Sequence, residues 1–137
     1  MSEPSHLFVY GTLRYESDHP MARRLRTMAR YIGKGSVPGR LYDLGPYPAA
    51  VFDPDEKRRI VGNVFEIKPD SKVLAEMDAY EGTDPLYRRT VLEVKLTTGG
   101  TIEAWAYGVN PPPRARLITS GDFIAHRNQH RPRAVRS

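Results

Sequence analysis

The chain has 137 residues, 39% hydrophobic and 27% charged, which is one domain's worth of material with a modest core. It has no cysteine, so disulfides, thiolate nucleophiles and cysteine-ligated metals are excluded together, and no apolar run reaches the length of a membrane span. The net charge of +5 does not argue for nucleic acid: Arg127, Arg131, Arg133 and Arg136 lie in an acid-free stretch and are four of the 21 basic residues, leaving 17 against 16 acidic ones.

The opening residues lack the basic start and long apolar run of a signal peptide, so a cytoplasmic location is expected. Leu7-Phe8-Val9-Tyr10 reads as a short buried strand, and Gly11 after it as the point where the backbone turns. A helix is expected from about Pro20 to Met28, capped by Ser17 or Asp18, with Met21, Leu25 and Met28 forming one apolar stripe and Arg23, Arg24 and Arg26 facing water. Between Ala29 and Phe52, glycines and prolines break the pattern into short strands at Tyr31-Ile32, Arg40-Leu41-Tyr42 and Ala49 to Phe52.

A polar turn follows at Asp53 to Lys57, then a strand from Ile60 to Ile67. Asp70 or Ser71 caps a second helix running to about Tyr80. Tyr87 to Thr97 alternates as a strand, Thr98-Gly99-Gly100-Thr101 reads as a hairpin turn, and Ile102 to Val109 returns beside it. Leu117-Ile118 is a last short strand or turn. Residues 1–126 form one domain, and residues 127–137 are a basic tail too polar to order itself. The element order lacks βαβ alternation, which points to an α+β fold on a curved or barrel-like mixed sheet.

Motifs for a nucleophile elbow, a P-loop, a dinucleotide fold and a helical zinc pair are missing, and His6, His19, His126 and His130 are scattered as surface groups. No metal and no cofactor are expected. Two segments carry chemistry. In the second helix Val73, Leu74 and Met77 set the buried direction, and a helical turn continued to Glu81 brings that carboxylate close to it. Removal from water raises a carboxylate's pKa toward the range of a base working at neutral pH. The plainer alternative is a terminal Glu that frays into solvent. In Tyr10-Gly11-Thr12-Leu13, a strand ending in a glycine turn offers backbone N–H groups to a carboxylate or oxyanion, or is an ordinary turn.

These segments come together in one resemblance. Phe8-Val9-Tyr10-Gly11-Thr12-Leu13-Arg14, Gly39-Arg40-Leu41-Tyr42-Asp43-Leu44-Gly45 with Tyr47-Pro48-Ala49, Gly62-Asn63-Val64-Phe65-Glu66-Ile67, Met77-Asp78-Ala79-Tyr80-Glu81-Gly82, Tyr87-Arg88-Arg89 and Trp105-Ala106-Tyr107 occur in order over residues 7–123. Together they resemble the γ-glutamyl cyclotransferase-like family, which includes the AIG2-like proteins. The resemblance implies a small mixed β-barrel flanked by helices. It implies release of 5-oxoproline from a γ-glutamyl compound, Glu81 as general base, and substrate held by Tyr10, Gly11, Thr12 and Leu13. Tyr87 and Tyr107 resemble positions near the cavity, though as aromatics they also suit core or wall. The short chain looks closer to the compact branch acting on γ-glutamyl-amines. A small γ-glutamyl substrate is then the partner; nucleic acid and membrane are not expected. The rival is a non-catalytic small-molecule-binding module of the same fold.

Overall fold

The structure, a computed structural model, describes residues 5–11, 13–14, 19–45, 48–68, 72–81, 87–109 and 112–129, without the side chains of Asp78, Tyr80, Glu81 and Gln129. The apolar run near the N-terminus forms β1 (His6–Val9). Leu7, Phe8 and Val9 are all buried because β1 has neighbours on both edges and packing on both faces. It runs antiparallel to β4 (Arg59–Glu66) and parallel to β6 (Thr101–Val109), where Leu7 faces Trp105.

The short pieces expected after Ala29 merge, as far as Asp43, into a single 14-residue strand, β2 (Arg30–Asp43). Its glycines do not punctuate it, and Gly35 and Gly39 let other strands come close. A Cβ on Gly35 would sit 2.7 Å from Val94 Cγ1, and one on Gly39 would sit 2.5 Å from the Val51 carbonyl oxygen. A register shift between Tyr31 and Gly33 adds a bulge. The first stretch of β2 pairs with β4, from Arg30↔Glu66 to Pro38↔Arg59, and its second stretch with β3 (Pro48–Phe52). At Gly35 and Ser36 it also meets β5 (Tyr87–Leu96). β5 pairs with β6 through the expected hairpin, where Gly99 and Gly100 take φ of +108° and +80°.

The ring β2–β4–β1–β6–β5 therefore closes on itself as a five-stranded mixed barrel. β3 and the two-residue β7 (Arg116–Leu117) extend the far end of β2. One core cluster joins Phe8, Val37, Ile60, Val64, Val94, Ala104 and Ala106 with Ile118 and Phe123. A second joins Leu7, Val9, Phe65 and Tyr107 on the strands to Leu13 and the helices.

Helix α1 (Pro20–Met28) starts at proline as expected, but its cap is His19, whose Nδ1 accepts the Met21 N–H at 3.0 Å. Ser17 and Asp18 lie outside the described residues. Leu25 is buried, with Met21 and Met28 packed half-buried beside it. In α2 (Val73–Glu81), Val73 and Met77 are buried and Leu74 is half-buried, as the helical pattern requires. Each such fully buried side chain contributes about 1.5–3 kcal/mol. Arg24 bridges the two helices by two 3.1 Å bonds to Glu76.

Helix α3 (Phe123–Gln129) continues past the boundary expected at residue 126, and residues 130–137 lie outside the described ones. Nor is His126 a surface group: it is buried, with Nε2 2.8 Å from Asp43 Oδ2, a partner 83 residues away. His6 is half-buried, and His130 is not among the described residues. Among the described residues, no helix is long and apolar enough to cross a membrane.

Candidate active site

β1 ends at Val9, and the next residue turns inward. Tyr10 is buried against Phe8 and edge-on to Phe52, and its hydroxyl donates to the Tyr107 carbonyl at 2.5 Å. That bond ties the end of β1 to the end of its parallel neighbour β6. The Arg14 N–H then reaches back to the Gly11 carbonyl at 3.1 Å and closes a four-residue turn. This bond does not consume the Leu13 N–H.

Gly11 is required for a different reason from the one the sequence suggests. It does not take a positive φ. A Cβ there would lie 2.7 Å from Pro48 Cδ and 2.8 Å from Pro48 Cγ, so the turn lies flat against the first residue of β3. Pro48 is also the anchor for Tyr87, whose hydroxyl donates to the Pro48 carbonyl at 2.7 Å. Tyr87 opens β5 and pairs directly with Val109, two residues past Tyr107 on β6. Tyr10, Gly11, Tyr87 and Tyr107 are thus joined by contacts through Pro48 and the β6 backbone.

Leu13 is buried in the same cluster as Tyr107 and Met77, so the buried face of α2 meets the turn. Glu81 is the last residue of α2, one helical turn past Met77. Its side chain, and Thr12, lie outside the described residues.

One buried polar cluster escaped the sequence reading. Arg14 is only 1% exposed. Its Nε donates to Asn63 Oδ1 at 3.4 Å and its Nη1 to Asp122 Oδ1 at 2.5 Å. Asn63 is fully buried in β4, and its Nδ2 donates to the Tyr31 hydroxyl at 3.3 Å. Asp122 caps α3 by accepting the Ala125 N–H at 3.1 Å. Burial pushes the Asp122 carboxyl up, but the Ala125 N–H and the Arg14 guanidinium outweigh it and hold it below the ordinary range. Arg14 stands inside the quoted N-terminal motif, yet its partners are 49 and 108 residues away.

A groove of about 740 Å³ is lined by Val37, Phe52, Arg88, Thr90, Leu92 and Gly108 among others, and holds none of the expected site residues. Among the described residues, no group of three or more His, Asp or Glu side chains is arranged to hold a metal. The described geometry is a backbone turn flanked by Tyr10, Tyr87, Tyr107 and the buried face of α2.

A family model described as gamma-glutamyl cyclotransferase, AIG2-like, matches residues 7–125. A Methanocaldococcus jannaschii protein, whose name gives gamma-glutamylcyclotransferase as a provisional assignment, is 33% identical over 127 residues, covering 89% of this chain and 98% of its own length. Human gamma-glutamylaminecyclotransferase is 32% identical over 122 residues, 82% of this chain and 72% of the human one. Among solved structures, YkqA from Bacillus subtilis matches with a TM-score of 0.71 at 26% identity, over 91% of this chain and 41% of that one.

Proposed function

The chain belongs to the gamma-glutamyl cyclotransferase, AIG2-like family, and from that premise we propose that it releases 5-oxoproline from a γ-glutamyl compound by intramolecular amine attack. The observation that carries this reading is the convergence of Tyr10, Gly11, Leu13, Tyr87 and Tyr107, from three separate regions of the chain, beside the buried face of α2.

In this reading the α-ammonium of the glutamyl unit gives a proton to the Glu81 carboxylate and becomes a nucleophile. Its nitrogen attacks the γ-carbonyl of the same unit. The new C–N bond closes a five-membered ring, and the carbonyl oxygen takes up negative charge. Backbone N–H groups of the Tyr10–Leu13 segment stabilise that oxyanion or hold the α-carboxylate. Collapse breaks the old C–N bond as Glu81 gives its proton to the departing nitrogen; Glu81 then takes the second proton from the ring nitrogen and passes it on, so the amine leaves as an ammonium and the lactam keeps one N–H. Proton count balances without water. Nucleophile and electrophile share one molecule, so proximity removes much of the entropic barrier.

The leaving group in this proposal is an amine, such as the side-chain amine of a lysine. Its support is the likeness to human gamma-glutamylaminecyclotransferase. The reading also includes a cytoplasmic location.

The test is 5-oxoproline release from a γ-glutamyl amino acid, γ-glutamyl-ε-lysine, glutathione and a simple γ-glutamyl-amine, with wild type and Glu81→Gln side by side. Wild type is expected to prefer the amines, and the variant to lose about 10²–10⁴-fold in kcat, the usual contribution of a general base. A folded wild type that binds these compounds without releasing 5-oxoproline would make the chain a binding module instead.

A further inference from the structure

Arg14 is a permanent cation with 1% of its surface exposed. A buried charge is costly unless paired, and a well-packed apolar side chain of similar size often stabilises a fold as well or better. Stability alone is therefore a poor reason for an arginine here. Its burial also leaves it no surface to offer a substrate.

Its connections suggest another role. At its backbone, Arg14 closes the turn onto the Gly11 carbonyl. At its side chain, a planar and rigid group spans two elements: Asn63 in β4 and Asp122 at the start of α3. Both partners are themselves held. Asn63 bonds Tyr31 on β2, while the Asp122 N–H donates to the Ser120 hydroxyl and its carboxylate caps α3. One side chain thus fixes the turn against two regions of the barrel wall. Resting on the function proposed above, we infer that Arg14 is a positioning residue, and that its link to Asn63 and Asp122 sets where the Gly11–Arg14 turn presents its N–H groups to the reacting carbonyl.

A misplacement near 1 Å costs about 100-fold when the displaced groups act in the transition state. Arg14→Met removes the charge and keeps the length. Arg14→Lys keeps the charge and loses the fork. Asp122→Asn keeps the shape and weakens the link. Each variant, and the Met/Asn double, would be assayed for 5-oxoproline release across substrate concentrations, so that kcat and KM are separated. Amide NMR of Gly11 and Leu13 would be recorded on the same samples.

All three single variants are expected to lower kcat about 10- to 100-fold with KM within about threefold. Arg14→Lys should fail to rescue, the double should be no worse than Arg14→Met, and the Gly11 and Leu13 amides should shift while Gly99 and Gly100 stay put. Wild-type kcat in the folded variants, multiplicative loss in the double, or unmoved turn amides would each overturn the inference. If Arg14→Met does not fold, Arg14→Lys and Asp122→Asn carry the test. If wild type releases no 5-oxoproline, the proposed function fails, and the turn amides alone decide the positioning: shifted supports it, unshifted overturns it.

Discussion

The Tyr87 hydroxyl donates to the Pro48 carbonyl at 2.7 Å, and the ring of the same proline blocks any side chain at Gly11. Pro48 therefore fixes the start of β5 and the turn after β1 relative to each other. Tyr87→Phe keeps the ring and removes the donor to a partly buried carbonyl. The expected loss is about 1 kcal/mol in a urea titration, the usual net worth of such a bond. Turnover should fall further than stability does, because Tyr87 also borders the proposed substrate site. Unchanged kcat and midpoint in Tyr87→Phe would remove Tyr87 from both roles.

Gly11→Ala sharpens the same relationship. The added methyl would meet Pro48 Cδ at 2.7 Å, closer than carbon atoms pack, so the turn or the proline must move. Overpacking of this kind costs about 1–3 kcal/mol. The variant is expected to fold with a lowered midpoint and to lose most of its 5-oxoproline release. Full activity in Gly11→Ala would mean that the turn can move without consequence.

The acid limb of stability draws on carboxylates held low by their partners, Asp43 and Asp122 among them. The bond to His126, then the Gly45 N–H, hold Asp43 below the ordinary range. Asp122 is also held low, by the Ala125 N–H and Arg14 against the opposing effect of burial. A carboxyl whose folded pKa is depressed stabilises the fold fully above its unfolded value, about 3.9 for Asp. That contribution is lost as pH falls through the lower folded value. Urea midpoints measured downward from pH 6 should fall most steeply below about pH 4. Asp122→Asn should be less stable at neutral pH but show a shallower acid limb. A limb parallel to wild type would show that Asp122 does not contribute to it.

The features of this fold that were legible in the sequence are those whose causes are local. The Met21, Leu25 and Met28 stripe, the Val73 and Met77 face and the Gly99-Gly100 hairpin depend on neighbours a few residues away. β2 was misread because Gly33, Gly35 and Gly39 mark turns in most chains, whereas Gly35 and Gly39 here answer to Val94, Val51 and Ile60 on other strands. His126 looked like a surface group because its partner Asp43 is distant in sequence. For the candidate site, the order of the motifs proposes Tyr10, Gly11, Tyr87 and Tyr107. Neither the Pro48 contact that joins Gly11 to Tyr87 nor the Arg14–Asp122 link could be read without the fold.

Two glycines allow backbone conformation to be separated from space. Gly121 and Gly45 both take positive φ, +71° and +100°. Around Gly45 a Cβ would meet nothing within 4 Å, whereas at Gly121 it would lie 1.9 Å from the Arg59 carbonyl oxygen. Gly121 also accepts the Val61 N–H at 2.8 Å and directly precedes Asp122. Gly45→Ala should therefore cost only the left-handed conformation, about 1–2 kcal/mol. Gly121→Ala adds a backbone clash and should cost about 1–3 kcal/mol more. Because the displaced backbone carries the Asp122 cap, Gly121→Ala should also lower kcat, while Gly45→Ala leaves the Arg14 link untouched. Equal urea midpoints for the two variants would mean that the Arg59 carbonyl yields without cost, and the tight seam between β4 and the start of α3 would not be rigid.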